Sequence, residues 1–290
     1  MRKVRLRAFA KVNYALDILG LRADGYHEVR TVMQSISLAD EVELQRATEG
    51  FELTSEPSEA EIGPPERNTV YLAWKLLRGL TNDELPVRVK LRKMIPAGAG
   101  LGGGSADAAA ALVGLNDLFG FGLRVEELCE IGVGIGADVP FCISGRTALG
   151  EGIGEILTPL PAPPPHRLVV AKPLGSADTG TIYRACDAAK KESANSVDPV
   201  VSALRSENLS ALAAAVGNDL APVTAGFVPD VEALEQTLLA SGALGASMSG
   251  SGTAVYGIFG NGVTAGIAKH RIEAPFIGVY EPVSRGVEIA

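Results

Sequence analysis

Cysteine is scarce. Cys129, Cys142 and Cys186 are an odd number spread over 290 residues, which excludes a disulfide framework, and their spacing is not that of a zinc site. Set among apolar or helical neighbours, all three read as packing residues. Long hydrophobic runs are missing too: none approaches the roughly 18 uncharged apolar residues that a membrane-spanning helix needs. The start, Met1 to Arg7, alternates like a strand and does not lead into the apolar core of a secretion signal. These absences predict a cytoplasmic protein with no membrane partner. Basic charge is also short, because 26 Lys and Arg against 34 Asp and Glu leave a net charge of −8. That is the wrong sign for a nucleic-acid surface, so any phosphate ligand has to be met locally, by backbone dipoles and a few placed cations.

What is present begins with enough apolar material, 47% of 290 residues, for a sizeable core in two domains or one large one. Strand patterns occur at Val4 to Phe9, Val12 to Leu19, Val29 to Ile36, Glu41 to Gln45 and Val87 to Leu91. Asn68 is placed to cap an amphipathic helix with Val70, Ala73, Trp74 and Leu77 on one face. A second helix, Ala106 to Phe119, is apolar on nearly every side and is expected to be buried. The stiff run Pro161 to Pro165 predicts a boundary, with lobes at 1–160 and 161–290. Beyond it lie a strand at Leu168 to Ala171, helices near Thr181 to Lys190, Val200 to Leu204, Leu209 to Val216 and after Pro229, and strands at Thr253 to Phe259 and Phe276 to Tyr280. The class is α+β.

Between the Val87 strand and the buried helix runs Pro96-Ala97-Gly98-Ala99-Gly100-Leu101-Gly102-Gly103-Gly104-Ser105-Ala106. Glycines allow positive φ and close backbone approach, and a helix N-terminus supplies unpaired N–H groups with the positive end of the dipole. The run therefore reads as a phosphate loop that needs no lysine. It is not a Walker A loop, which ends Gly-Lys-Ser/Thr, and it lacks the signatures of protein kinases. Nor does it suit a dinucleotide fold, since the preceding strand alternates apolar and basic residues as a half-buried antiparallel strand does. A second cluster, Gly245 to Thr253 with Ser249, Gly250, Ser251 and Gly252 at its centre, could form another anion nest. Taken alone it is an ordinary turn between helix and strand.

Two charges stand isolated. Asp138 is the only charged side chain from Ile131 to Ile143, and Lys11 has only apolar or uncharged neighbours within three positions. Each needs an opposite charge if buried. They fit either a catalytic pair beside the glycine loop, Asp138 taking a hydroxyl proton and Lys11 stabilising developing negative charge, or exposed corners, or a buried pair that only fixes packing. Sequence by itself leaves these open.

Three segments together carry a resemblance. Ala8 to Asn13 with Asp24-Gly25-Tyr26-His27-Glu28, then Pro96 to Ala111, then Ser247 to Phe259 resemble, in order and spacing, the motifs of the small-molecule kinases named for galactokinase, homoserine kinase, mevalonate kinase and phosphomevalonate kinase. The triple glycine Gly102 to Gly104, the Arg22 to His27 turn and Gly136-Ala137-Asp138-Val139-Pro140-Phe141 resemble the branch that phosphorylates 4-diphosphocytidyl-2-C-methyl-D-erythritol in the non-mevalonate route to isoprenoids. The resemblance implies a two-lobed fold, the N-terminal lobe like a ribosomal-protein domain with a mixed sheet, the C-terminal lobe an antiparallel sheet with helices, and the active site between them. It implies ATP on residues 96–106, Mg2+ bridging its phosphates with Ser105 as a candidate contact, and Lys11 and Asp138 as the catalytic pair. Tyr26 and Tyr183 would sandwich a cytosine whose polar edge His27 reads, with Asn13 and Thr179 also on the substrate. Without the resemblance, His27 is a turn histidine and Ser105 a helix cap. His166 and His270 match no motif and read as surface residues. A non-catalytic nucleotide-binding module, a kinase of homoserine or mevalonate, and an RNA-binding protein remain as alternatives, the last opposed by the acidic charge. No protein partner is implied.

Overall fold

Two long antiparallel strands, β1 (Lys3–Leu21) and β2 (His27–Arg46), organise the first half of the chain. The molecule is a computed structural model that describes residues 2–56, 65–189 and 196–290. The alternation that breaks near Ala10 and again near Ser37 suggests four strands, yet the backbone runs through both breaks. In β1 the interruption is a bulge: the register with β2 shifts between Phe9 and Lys11 and again between Asn13 and Ala15. A bulge turns successive side chains out of strict alternation; between the two shifts the register is regular, from Lys11 opposite Ser35 to Asn13 opposite Met33, so Lys11 and Asn13, two residues apart, share one face.

After β2 come β3 (Phe51–Glu56), α1 (Thr69–Thr81), β4 (Val87–Arg92), α2 (Gly103–Phe119), α3 (Val125–Val133), α4 (Val139–Ser144), β5 (Thr147–Glu151) and β6 (Ile156–Pro159). Beyond the proline run follow β7 (Arg167–Lys172), α5 (Thr179–Ala189), α6 (Val197–Arg205), α7 (Leu209–Ala215), β8 (Gly217–Asn218), α8 (Ala221–Phe227) and α9 (Asp230–Ala240). The chain ends with β9 (Gly245–Met248), β10 (Val255–Phe259), α10 (Gly262–Arg271), β11 (Phe276–Tyr280) and β12 (Val287–Ile289). Of the residues read from sequence, Met1 and Lys190 lie outside the described ones. The first sheet runs β12-β1-β2-β4-β3, with β5 and β6 extending from β2 and β8 beside β1. It is mixed, because β3–β4 and β1–β8 are parallel. The second sheet, β11-β7-β10-β9, is wholly antiparallel. This is the expected α+β architecture. The sequence did not signal that β8 and β12, late in the chain, return to the first sheet.

Helix α1 is capped as expected: Asn68 Oδ1 accepts from Val70 N at 2.9 Å, and Val70, Ala73, Trp74 and Leu77 form its buried face. Helix α2 is buried on most of its circumference, from Ala106 to Leu112 and at Gly114, Leu115 and Leu118. Burying each of its leucines contributes about 1.5–3 kcal/mol. It lies so close to the first sheet that a Cβ on Gly114 would come 2.7 Å from Leu44 Cδ1 and 2.9 Å from Leu6 Cδ1.

One residue of α2 is a buried acid. Asp107 meets Lys93 Nζ at 2.6 Å, and Lys93 also donates to Asp40, whose other oxygen accepts the N–H of Met94 and Ile95. This cluster ties α2 to β2 and to the segment that leads into the glycine loop. Burial lowers the affinity of Lys93 for its proton, but the two carboxylates outweigh it and raise the pKa overall. Burial pushes Asp107 up to about 8, with Lys93 opposing and Asp40 reinforcing, and Asp107 Oδ1 has no partner among the described residues.

His166 is not at the surface. It is 1% exposed; its Nδ1 donates to Pro164 O at 2.7 Å and its Nε2 accepts from the Tyr14 hydroxyl at 3.0 Å. The proline run folds it under β1, a tertiary contact that has no local sequence signal, and burial lowers its pKa. His270 is exposed, Cys142 and Cys186 are buried and Cys129 is half-buried, all with free thiols.

Gly114→Val is expected to lower the unfolding free energy by about 1–3 kcal/mol by overpacking α2 against Leu6 and Leu44, as read from urea unfolding. A carboxyl that holds its proton more tightly in the folded chain withdraws stability as pH rises, here from 3.8 towards about 8. Asp107→Asn should therefore flatten the fall in urea midpoint between about pH 5 and about pH 8; an unchanged slope would assign that fall to other groups.

Candidate active site

Lys11 is the centre of the site. It is 3% exposed, and its Nζ donates to Asn13 Oδ1 at 2.8 Å and lies 3.2 Å from Asp138 Oδ2. Asn13 is held in turn, its Nδ2 donating to the Thr31 hydroxyl at 2.7 Å and that hydroxyl to Ala15 O at 2.7 Å. The ammonium is thus oriented by a chain of hydrogen bonds that ends on the backbone of its own strand. Asp138 stands at the start of α4 but makes no capping bond, so its carboxylate is left to Lys11. Its side chain is 34% exposed against 4% for that of Lys11, so one partner is fixed inside and the other is open to a ligand.

Both glycine clusters close on this pair. Gly98, Gly100 and Gly102 have φ of 58°, 73° and 72°, and Gly102 is the residue from which α2 starts. A Cβ on Gly102 would come 3.0 Å from Lys11 Cγ, and one on Gly100 would lie 2.0 Å from Ser249 O. Only glycine permits the second approach, and at Gly102 a side chain would crowd the lysine in a backbone conformation that favours glycine. Lys11 N donates to Leu101 O and Ala254 N to Ala99 O, each at 3.0 Å, and the Ser249 hydroxyl donates to Gly100 O at 2.9 Å. The Gly245–Thr253 segment is an ordinary turn in sequence, but here it is packed onto the first loop. Gly250 reaches to within a Cβ contact of 3.4 Å from Lys11 Nζ.

The sequence-predicted residues line two adjoining clefts. One, about 250 Å³, is bounded by Lys11, Asn13, Gly98, Gly100, Gly102, Asp138, Thr179, Tyr183, Gly250, Ser251 and Gly252. The other, about 550 Å³, is bounded by Tyr26, His27, Ser105, Asp138, Thr179, Tyr183 and Arg184 among others. Asp138, Thr179 and Tyr183 belong to both, so the carboxylate stands where a glycine-walled end meets an aromatic end. A larger cleft of about 900 Å³, floored by His166, shares none of these residues.

The predicted residues differ in their surroundings. Ala99, Leu101 and Ala106 are buried packing side chains, and Ser249, fully buried, joins the loops. Pro96, Ala97, Gly103 and Gly104 line neither cleft. Ser105 is not the helix cap, a place Gly102 takes; it sits in the first turn of α2, and its hydroxyl has no hydrogen-bond partner among the described residues. Tyr183 packs on His27, with ring centroids 4.7 Å apart, while Tyr26 is 60% exposed. Burial pushes the Tyr183 phenol up, and the charge of Asp138 adds to it.

Sequence reasoning missed the supports. Asn218 Nδ2 donates to Met248 O at 2.9 Å and Gly250 O at 2.8 Å, clamping the second loop. The Tyr256 hydroxyl donates to Asn13 O at 2.9 Å, and the Thr179 and Ser251 hydroxyls bond at 2.8 Å. Asn218 and Tyr256 belong to no run of unusual composition, and the pairing of Thr179 with Ser251 joins segments that the sequence does not link. Asp107, a lone charge among alanines, carried the same signal that exposed Lys11 and Asp138.

Residues 68–146 match the family described as GHMP kinases N terminal domain, and residues 200–278 match GHMP kinases C terminal. A relative from Caldicellulosiruptor bescii, named 4-diphosphocytidyl-2-C-methyl-D-erythritol kinase, is 40% identical over 270 residues, 93% of this chain and 94% of that one. A protein of the same name from Moorella thermoacetica is 41% identical over 275 residues, 93% and 95% of the two chains. A crystal structure of 4-(cytidine 5'-diphospho)-2C-methyl-D-erythritol kinase superposes with a TM-score of 0.80 at 31% identity, covering 96% of this chain and 98% of that one. Homoserine kinase from Cytophaga hutchinsonii shares the fold, with a TM-score of 0.79 at 20% identity over 100% and 98% of the chains. With the paired glycine loops and the buried Lys11, these likenesses make the chain a member of the GHMP kinase family, in the branch of the 4-diphosphocytidyl-2-C-methyl-D-erythritol kinases.

Proposed function

We propose that the chain transfers the γ-phosphoryl group of ATP to the 2-hydroxyl of 4-diphosphocytidyl-2-C-methyl-D-erythritol, in the cytoplasm, with the active site between lobes 1–160 and 161–290. The observation that carries the reading is the Lys11–Asp138 pair, 3.2 Å apart where the glycine-walled and aromatic clefts join. Relatives at about 40% identity bearing that substrate's name support the choice of alcohol.

In this reading Asp138 accepts the proton of the attacking hydroxyl. The new bond from that oxygen to the γ-phosphorus forms, the bond from phosphorus to the β,γ-bridging oxygen breaks, and the electron pair leaves with ADP. Lys11 faces the negative charge that builds on the transferred group. The ATP phosphates rest against Gly98 to Ser105 and the start of α2, where unpaired N–H groups and the helix dipole supply the positive field. Mg2+, if bound with the nucleotide, would supply charge neutralisation of the phosphates, and the Ser105 hydroxyl would be the side chain placed to help hold it. The donor set suits an ion carried by the nucleotide: the Ser105 hydroxyl is unengaged, and no cluster of three metal-ligating side chains occurs among the described residues. Tyr26 and Tyr183 offer stacking faces for the base, and Asn13, its amide already engaged with Lys11 and Thr31, serves first to aim the lysine.

Phosphoryl transfer should be measured with the cytidyl substrate, homoserine and mevalonate in parallel. Turnover of the cytidyl substrate alone is expected; turnover of another alcohol would keep the mechanism and discard the cytosine cleft. Asp138→Asn and Lys11→Ala should each lower kcat by at least about a hundredfold while ATP affinity changes little. Equal loss of ATP binding would overturn their roles. Tyr26→Ala should act mainly on KM for the cytidyl substrate, by about tenfold, since a base–aromatic stack contributes about 1–3 kcal/mol.

A further inference from the structure

Helix α5 carries Tyr183 and Asp187 four residues apart, hence on one face, and both meet the same imidazole. Tyr183 packs against the His27 ring, with centroids 4.7 Å apart and planes inclined by 37°. Asp187 Oδ1 lies 2.7 Å from His27 Nε2. The His27 side chain is 8% exposed and that of Asp187 40%, so the contact is made by a shielded ring and a carboxylate at the rim. His27 Nδ1 has no hydrogen-bond partner among the described residues, and His27 lines the aromatic cleft.

We propose that Asp187 is a positioning residue that sets the tautomer of His27 and, through it, the preference for cytosine over uracil; the inference rests on the cytidyl-substrate reading above. An ionised carboxylate only accepts hydrogen bonds, so the proton between the two groups belongs to Nε2. A neutral imidazole has one N–H, and Nδ1 is then an acceptor. On its pairing edge cytosine presents one donor, the 4-amino group, whereas uracil presents a carbonyl oxygen at that place. Nδ1 can receive the amine, but against uracil two lone pairs face each other, and a base stacked beside Tyr183 cannot slide to avoid this without losing its stack. A site built to bond a donor discriminates strongly against an analogue that lacks it. The other tautomer would bond uracil, but it would turn the Nε2 lone pair towards Asp187. The carboxylate thus blocks the tautomer that uracil would need.

The experiment compares kcat/KM for the cytidyl substrate and its uridyl analogue, with ATP and Mg2+, in the wild-type chain, Asp187→Ala and Asp187→Asn. In parallel, the 15N shifts of the imidazoles are recorded, assigned with ease in a chain of three histidines. The wild type is expected to prefer cytidyl, with His27 protonated on Nε2 and not on Nδ1. Asp187→Ala should reduce the preference by about tenfold, the size of one lost base-edge discrimination, with the loss for the cytidyl substrate falling on KM more than on kcat. Asp187→Asn, whose amide oxygen can still accept from Nε2, should keep most of it. Wild-type turnover of the cytidyl substrate with an unchanged ratio in Asp187→Ala, or a proton on His27 Nδ1 in the wild type, would overturn the role of Asp187 and leave the substrate reading standing. No wild-type turnover of the cytidyl substrate would overturn that reading and this inference with it.

Discussion

A buried ammonium constrains everything around it. Taking the charge of Lys11 out of water is tolerable only if fixed acceptors replace the solvent, and Asn13 and Asp138 do so. Asn13 follows Lys11 by two residues in the regular stretch between the bulges of β1 and so lies on the same face. For Asp138 to reach Lys11, α4 has to begin without a capping bond from that side chain. The two glycine loops then close beside the lysine, and they meet each other at Gly100 and Ser249 at a distance that leaves no room for a side chain. Strand register, helix start and loop composition meet at one buried charge.

The same arrangement makes a chemical gradient along the cleft. At one end lie backbone dipoles and the ammonium; at the other, two tyrosines and a histidine held by a carboxylate. Asp138 stands at the junction. A ligand with phosphates at one end and a stacked base at the other would place the atoms between them next to Asp138, the one carboxylate among the described residues that lines both ends. Position along the cleft, rather than any special property of the aspartate, gives it its role.

Lys93 with Asp40 and Asp107 solves the same electrostatic problem for a different end. Here two carboxylates surround one ammonium with almost no exposure, and the result fastens α2 beneath the glycine loop. Lone charges in apolar runs therefore mark buried partners, and exposure separates the two kinds of site: Asp138 opens to the cleft and Asp107 does not. That is why isolation in the sequence marks Lys11, Asp138 and Asp107 alike and does not separate a pair open to the cleft from a fastening.

Much of the architecture was legible locally. The α1 cap at Asn68, the nearly all-apolar α2, the glycine run at its start and the alternation of β4 follow from side-chain period and backbone freedom, which are properties of adjacent residues. Motif order also told which family of kinases the chain resembles. The continuity of β1 and β2 through their bulges, the return of β8 and β12 to the first sheet and the burial of His166 were decided by contacts between segments that are not adjacent in the chain. So was the change of the Gly245–Thr253 turn into a wall of the site, since its contacts with Gly100 and Lys11 exist only once the second sheet is folded against the first. By itself the sequence determined which residues carried the means to bind phosphate and move a proton, because those are properties of single side chains and short loops. Only the tertiary structure decided which of them meet, because a buried charge selects its partner by distance and desolvation, and neither exists along an unfolded chain.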